Sequence, residues 1–292
     1  MDTVIEWIQE NNRIVLVGGV VVVSLLALRR VFFRRVGGPK DVLKQKQFPR
    51  NVVVLVQMRR GSLVPSPSPF VLKVETYLRM ANIPYENVFG IFKSTKDKFP
   101  FILYNGKEIA DSQFIIEFLN KEKSVDLNQH LTTKQKAISR AFLKMTEENL
   151  FWTLVAERWV YSSVEYMNSV SPVFNRLFAW VFKRRCKKQL WGHGIGRHSR
   201  EELRAIMDKD MRALSYYLDD KKFFFGDQPS EIDCSLFGQL AQYMWQDTDL
   251  PQAKLMKGGL QNLARYCERM RERFWPDWDE CITHNFTRKA TK

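Results

Sequence analysis

The sequence is poor in the residues that redox and metal chemistry require. It has four cysteines and four histidines among 292 residues. The cysteines are scattered, with no CxxC pair and no metal-ligand spacing, and no third ligand accompanies His193 and His198. We therefore expect reduced cysteines in a domain that faces a reducing compartment, and no metal site.

Acidic residues are also in short supply, with 32 Asp and Glu against 46 Lys and Arg, a formal net charge of +14. A uniformly basic surface would suggest nucleic acid, but half of this excess lies in one short stretch. Between Arg29 and Arg50 there are eight basic residues and one acidic residue. The stretch directly follows an apolar run, as a juxtamembrane flank does. This pattern predicts a membrane as partner and no nucleic acid.

The apolar run, Ile14 to Leu28, is uncharged and 15 residues long. A bilayer span needs about 20 residues, and the run reaches residue 33 if Arg29 and Arg30 snorkel towards the headgroups. It lacks the basic start and small-residue cleavage site of a signal peptide. Its glycines and valines form helix poorly in water, which disfavours a buried core helix.

We therefore expect a single transmembrane helix at 14–33, between a short acidic N-terminus at 1–13 and a basic linker at 34–50. The positive-inside rule then places the C-terminal domains in the cytosol. The mitochondrial outer membrane, the endoplasmic reticulum and the lysosome all fit such an anchor.

Residues 51–123 alternate strand and helix signals, whereas 124–292 read as helical almost throughout. An α/β domain followed by an all-α domain is therefore expected. The strand signals are Val52–Gln57, Tyr85–Phe89, Phe99–Tyr104 and Lys107–Ala110, with Asn105-Gly106 as a hairpin turn. Helix signals cover Pro69–Ala81, a segment that Ser112 caps, and 133–161 as one long helix or a broken pair.

The loop Ser66-Pro67-Ser68-Pro69-Phe70 joins the first strand to the first helix. Ser68 is suited to the N-cap and Pro69 to the first helical position. A helix start presents unpaired N–H groups and the positive end of the helix dipole, which favour an anion. The loop has no cysteine, so thiol–disulfide exchange is not expected there.

The order of these features resembles the glutathione transferase fold, a thioredoxin-like domain followed by a helical domain. Ser68-Pro69-Phe70 resembles the family's Cys-Pro-Phe or serine loop, and Phe99-Pro100 its cis-proline turn. Asp111-Ser112 resembles its acidic residue and serine at a helix start. Ser230 and Asp233 resemble its structural capping box.

Longer runs resemble the failed axon connections family, which is metaxin-related and in part membrane-anchored. They are Ser66–Phe70, Glu75–Met80, Gly192–Arg197 and Phe274–Trp278. The resemblance implies a role in axon development or neuronal maintenance, without a settled chemistry.

The glutathione transferase resemblance implies roles for individual residues, with glutathione as the candidate co-substrate and no other cofactor. Ser68 or Ser66 would hold the thiolate, and Phe99 with Pro100 would pair with the tripeptide backbone. Asp111 and Ser112 would bind the γ-glutamyl carboxylate. The aromatic residues Phe151, Trp152 and Trp159 would line a pocket for the electrophile. The alternatives are a simple helix cap at Ser68, a second cap at Asp111-Ser112, and core packing for the aromatic residues.

Three functions follow from the resemblance. The first is a membrane-anchored binding or interaction module, working with a protein partner or as a homodimer. The second is an active glutathione transferase that conjugates electrophiles partitioned into the membrane. The third is a metaxin-like component of a mitochondrial outer-membrane assembly.

Overall fold

A computed structural model describes residues 48–90, 94–161, 172–246, 248–284 and 289–292, without the side chains of 172–178. Residues 50–292 form one compact unit. The predicted N-terminus at 1–13, the anchor at 14–33 and nearly all of the linker at 34–50 lie outside the described residues. None of the described helices is long and apolar enough to cross a membrane.

A four-stranded sheet forms the centre of the first half. Its strands are β1 (Val53–Gln57), β2 (Tyr85–Phe89), β3 (Phe101–Tyr104) and β4 (Lys107–Ala110), in the order β2-β1-β3-β4. β1 is parallel to β2 and antiparallel to β3, and the predicted β3–β4 hairpin is confirmed.

The third strand begins two residues later than predicted. Phe99 and Pro100 precede it, joined by a cis peptide bond. Proline has no N–H to donate to a strand ladder, so the pairing starts at Phe101.

Two helices, α1 (Pro69–Met80) and α2 (Ser112–Lys123), pack with the sheet around a shared core. Helix α1 is buried along most of its length: nine of the ten residues from Pro69 to Leu78 are buried. It is covered on both sides because the sheet lies against one face and the helical half against another. The expected thioredoxin-like domain is therefore present.

The second half is helical, as predicted. Its α-helices are α3 (Thr133–Lys144), α4 (Phe151–Ala156), α5 (Pro172–His193), α6 (Arg200–Leu218), α7 (Glu231–Ala241), α8 (Pro251–Gly258), α9 (Gln261–Phe274) and α10 (Trp278–Cys281). The segment 133–161, predicted as one long helix or a broken pair, runs without a break but changes its winding. Its stretches Met145–Leu150 and Glu157–Tyr161 are π-helical, as is Gln242–Gln246 after α7.

The two halves are joined by the packing of α7 against α1, beside a hydrophobic core that takes residues from both halves. Gly238 of α7 permits this approach, since a Cβ at this position would lie 2.5 Å from the carbonyl oxygen of Pro69. Val64 and Leu72 from the first half are part of the helical core. The loop that precedes α1 is thus held between the two halves.

Candidate ligand-binding site

The strand register brings three of the predicted segments to the same end of the sheet. Val56 in β1 pairs with Phe101 in β3, and Phe101 pairs with Ala110 in β4. The loop after β1, the cis turn before β3 and the Asp111-Ser112 step after β4 therefore all leave the sheet at this end. The Nζ atom of Lys98 and a carboxylate oxygen of Asp111 are 3.3 Å apart, which joins two of these segments directly.

The first turns of α1 and α2 also lie side by side. Lys73, one turn into α1, donates a hydrogen bond from Nζ to Gln113, the second residue of α2, at 2.8 Å. The same Nζ atom lies 2.7 Å from a carboxylate oxygen of Glu147. Two helix starts, each with the positive end of a helix dipole, are thus adjacent. This arrangement favours an anionic group of a ligand.

The two candidate serines occupy different environments. Ser66 is fully buried, and its hydroxyl oxygen accepts a hydrogen bond from the backbone N–H of Ser68 at 3.2 Å. Ser68 is at the N-cap of α1, with Pro69 in the first helical turn, but its side chain forms no capping hydrogen bond. Ser68 is partly exposed. Its hydroxyl is thus the better placed of the two to reach a ligand.

Two buried side chains from the helical half hold the loop in place. Arg158 donates one hydrogen bond to the carbonyl oxygen of Pro67 at 2.8 Å and another to the side chain of Gln242 at 3.0 Å. Gln242 in turn donates to the carbonyl oxygen of Ser66 at 3.1 Å. The loop carbonyls are thereby fixed from across the domain interface.

Arg158 and Gln242 were not predicted from the sequence. Each lies in a π-helical stretch, where the extra residue per turn shifts side chains away from the face that a 3.6-residue period assigns. A signal for Arg158 was its place beside Trp159 and Tyr161 in a stretch rich in apolar residues. Gln242 had none.

Asp111, not Ser112, caps the second helix. Asp111 has a positive φ of 86°, and its side chain accepts a hydrogen bond from the backbone N–H of Gln113 at 3.1 Å. Burial favours a raised pKa for Asp111, but hydrogen bonds from Lys98 and from this N–H outweigh it and lower the pKa. Ser112 is the first helical residue and is buried. Within the described chain, the backbone groups of Phe99 have no hydrogen-bond partner.

The predicted aromatic residues lie in two places. Phe151 packs edge-on against Phe70, just after the serine loop, with ring centroids 4.7 Å apart. Trp152 packs against Phe151 and His193. Trp159 lies instead against Phe182 of α5, 4.8 Å away. All three are partly buried against a small separate core. Phe151 is therefore the aromatic residue that the structure brings to the loop.

All four cysteines are free and buried. Burial raises the pKa of Cys186 to about 11 and that of Cys281 to about 12, and it holds the pKa values of Cys234 and Cys267 well above their usual range. A thiol that resists ionisation is a poor nucleophile. The thiolate in any reaction at the serine loop would have to come from the ligand.

Ser230 and Asp233 lie at the start of α7, away from the loop. The buried carboxylate of Asp233 accepts hydrogen bonds from the N–H and the hydroxyl of Ser230 at 2.7 and 3.0 Å, and from the hydroxyl of Tyr266 at 3.1 Å. Burial raises the pKa of Asp233 despite these bonds. The contacts hold the start of α7 and join it to α9.

Two of the family-like runs meet in a second polar cluster, on the side of the β2 edge strand. Arg79 forms a bidentate ion pair with Asp277 at 2.5 and 3.0 Å, and its guanidinium lies 3.8 Å from the ring centroid of Trp275. Trp275 donates its indole N–H to Thr76 at 3.0 Å. The third run, Gly192–Arg197, forms the end of α5 and a short 3₁₀ turn. The runs Glu75–Met80 and Phe274–Trp278 therefore join the two halves of the molecule.

Comparison with protein families gives two matches. The glutathione S-transferase N-terminal domain family matches residues 69–164, and the C-terminal domain family matches residues 207–270. Among solved structures, glutathione transferase Omega 3C from Trametes versicolor superposes with a TM-score of 0.52 and 17% identity. That superposition covers 81% of this chain and 92% of the other.

Three curated relatives illustrate the range of matches. Failed axon connections from Drosophila melanogaster is 36% identical over 81% of this chain, and the match spans 61% of the fly protein. Isoprene-epoxide–glutathione S-transferase from Rhodococcus sp. (strain AD45) is 31% identical over 72% of this chain and 94% of the enzyme. Metaxin-2 from Mus musculus is 25% identical over 82% of this chain and 94% of its own length.

Proposed function

Because this chain belongs to the glutathione transferase-like family, with failed axon connections and the metaxins among its relatives, we propose that its folded part is a membrane-tethered binding module. Its ligand is glutathione or a similar thiol peptide, held where α1 and α2 begin. The observation that carries the proposal is the Ser68 hydroxyl, partly exposed and without a capping bond at the start of α1.

The cysteinyl and γ-glutamyl units of the tripeptide each have a matching group at this end of the sheet. The backbone of Phe99, next to cis Pro100, offers peptide groups for pairing with the cysteinyl unit. The start of α2, with Ser112 and its neighbouring N–H groups, suits the γ-glutamyl carboxylate. The Ser68 hydroxyl donates to the thiolate, and the α1 dipole favours its negative charge by about 0.3–1 kcal/mol.

Calorimetry tests the binding. A fragment of residues 48–292, which includes the compact unit, is titrated with glutathione. We expect a dissociation constant of about 1 mM or tighter, equivalent to roughly −4 kcal/mol or more. Ser68→Ala and Ser112→Ala should both weaken binding, whereas Ser139→Ala on α3 is the matched control and should not.

A modified ligand separates the two serine roles. With S-methyl glutathione no thiolate forms, so Ser68→Ala should lose most of its effect while Ser112→Ala keeps its own. The proposal fails if no heat of binding is observed, or if Ser68→Ala and Ser139→Ala behave alike with glutathione.

A second candidate function is conjugation of glutathione to an electrophile, which the relation to the isoprene-epoxide enzyme favours. Phe151, packed on Phe70 beside the loop, would contact an apolar electrophile. The same variants should then change the rate of thioether formation with a small epoxide, measured with bound glutathione at saturation. Binding without turnover would leave the module as a receptor for the thiol peptide.

We attribute the tether to the apolar segment at 14–33, with the folded part in the cytosol. Deletion of residues 1–35 should release the protein from cell membranes, and the full chain should resist a carbonate wash. Retention of the deleted form after that wash would contradict the tether. Fractionation of cells against markers for mitochondria, endoplasmic reticulum and lysosome identifies the membrane.

We propose axon development as the setting of this module, on the basis of its relation to failed axon connections. An outer-membrane assembly on mitochondria is the second proposed setting, on the basis of its relation to metaxin-2. Loss of the protein in neurons should impair axon growth, and the chain should restore it. Rescue by the Ser68→Ala variant would separate this role from thiol binding.

A further inference from the structure

Helix α5 carries an unusual surface. Its buried side chains, Ala179, Cys186 and Leu190, recur at i, i+7 and i+11 and define the inward face. The outward positions hold two tryptophans, a valine and three basic residues. These six residues, called the α5 basic face, are Trp180, Val181, Arg184, Lys187, Lys188 and Trp191.

The apolar members of this face are well exposed. The exposed fraction is 56% for Trp180, 51% for Val181 and 61% for Trp191. Trp180 and Trp191 are separated by eleven residues, which is about 16 Å along the helix. Two exposed tryptophans are not explained by a helix face that contacts only water. At a membrane interface, the indole ring lies in an apolar layer while its N–H contacts water.

The charge on the helix is of one sign. Residues 172–199 include no aspartate or glutamate, and five of the six residues from 183 to 188 are basic. Arg185 is 3.8 Å from Asp97, but Arg184, Lys187 and Lys188 pair with no carboxylate in the part of the chain that the structure describes. The guanidinium of Arg184 lies 4.9 Å from the ring centroid of Trp180. Cationic groups and indoles are therefore interleaved on one surface.

We propose that the α5 basic face docks on the headgroup layer of an anionic membrane, with both indoles at the level where headgroups meet acyl chains. Long basic side chains bind lipid phosphates while their methylene stems contact apolar surface. This docking is independent of thiol binding and of the segment at 14–33. In a tethered chain it would also orient the folded part on its membrane.

The burial of all four native cysteines allows a direct test, because an introduced surface cysteine is then the thiol that a maleimide labels. The full chain carrying Val181→Cys is labelled with an environment-sensitive fluorophore and reconstituted into vesicles. One set contains phosphatidylcholine alone, and the other contains phosphatidylcholine with 30% phosphatidylserine. Tyr216→Cys, at an exposed position on α6, carries the control probe.

Docking predicts a blue shift of the Val181→Cys probe in the anionic vesicles, quenching by brominated acyl chains, and reversal at high salt. The triple variant Arg184→Gln, Lys187→Gln, Lys188→Gln should lower the docking equilibrium constant about a hundredfold, since each charge near such a surface contributes about 1 kcal/mol. Lys134→Gln, Lys254→Gln, Lys257→Gln removes the same charge from other exposed helix positions and should have little effect.

Equal signals in neutral and anionic vesicles, or equal shifts for the Tyr216→Cys probe, would overturn the proposal. So would a probe that responds to an acidic peptide or to oligouridylate but not to either vesicle. Those outcomes would assign the face to a protein or a nucleic acid. In a second experiment, the double variant Trp180→Ala, Trp191→Ala is compared with Tyr216→Ala as the control. Only the double variant should lose the quenching.

Discussion

At the scale of single residues, the most consequential charges lie in the first half, around the buried carboxylate of helix α1. Glu75 of α1 is fully buried, and Arg60 donates to both its carboxylate oxygens at 2.6 and 2.7 Å. Burial alone would raise the pKa of Glu75, but the Arg60 pair outweighs it and lowers the pKa. Tyr85 and Asn87 of β2 donate to the same carboxylate.

Removal of that carboxylate should strongly destabilise the fold. Glu75→Gln leaves the Arg60 guanidinium buried without its counter-charge, and we expect a loss of about 3 kcal/mol in the free energy of unfolding by urea. The control is Glu148→Gln, which breaks an exposed pair with Lys144 at 3.0 Å and should cost no more than about 0.5 kcal/mol. Similar costs for the two variants would show that the buried pair is not a structural requirement.

The second ion pair predicts a response to acid. Burial favours a raised pKa for Asp277, but hydrogen bonds from Arg79 dominate and hold the pKa at about 2. The unfolded value is about 3.9, so the unfolded chain binds the proton first as pH falls. The stability from this pair is therefore complete above about pH 4 and is lost between there and about pH 2.

Asp277→Asn removes the pH-dependent stability that this ion pair contributes. We expect the variant to be less stable than the natural chain at pH 6, but its urea midpoint should fall less between pH 5 and pH 3. Parallel pH profiles for the two proteins would argue that Asp277 does not titrate with a lowered pKa.

Removal of the buried amide of Gln252 should stabilise the fold. Gln252 of α8 is fully buried, and neither its oxygen nor its nitrogen has a hydrogen-bond partner in the described chain. Gln252→Met keeps the side-chain length and removes both polar atoms, so the free energy of unfolding should rise by about 1–2 kcal/mol. Gln239→Met is the matched control, because Gln239 donates to Tyr243 at 2.7 Å and its loss should destabilise. The prediction is wrong if Gln252→Met lowers the melting temperature.

At the scale of elements, the close crossing of α7 over α1 determines where the serine loop lies. Gly238→Ala would place a methyl group 2.5 Å from the carbonyl oxygen of Pro69 and 3.1 Å from the backbone nitrogen of Lys73. Both neighbours are backbone atoms, so α1 and the loop must move.

We expect Gly238→Ala to cost about 2 kcal/mol or more in unfolding free energy and to weaken glutathione binding. Gly258→Ala, at the end of α8, is the control because nothing lies within 4 Å of its added methyl group. That variant should be neutral or slightly stabilising, since alanine favours helix. Unchanged stability in Gly238→Ala would mean that the helices separate at little cost.

The sequence predicted most elements because their signals are local. The Asn105-Gly106 turn and the strand Tyr85–Phe89 both depend on neighbouring residues. The π-helical stretches were not predicted, because a single inserted residue leaves the apolar pattern nearly intact. The clamp that Arg158 and Gln242 form on the loop depends on those stretches and on contacts 84 residues apart.

At the scale of the whole molecule, the two halves are parts of one structure. The serine loop leaves the sheet in the first half, but side chains of the second half hold its carbonyls. The Arg79–Asp277 pair, 198 residues apart, joins the halves at another place. The spacing of residues in the sequence does not predict such long-range pairs. The resemblance of the runs Glu75–Met80 and Phe274–Trp278 to one family did, however, single out both Arg79 and Asp277.

We propose that three separated segments of the chain form one site for a thiol peptide. Hydrogen–deuterium exchange with and without glutathione tests it most directly, since each segment is read independently. We expect slower exchange on binding in 66–72, 98–102 and 111–115 together. Ser68→Ala should reduce the protection with glutathione, whereas with S-methyl glutathione the variant and the natural chain should show the same protection. Unchanged exchange in all three segments at saturating glutathione, or protection only elsewhere in the chain, would contradict it.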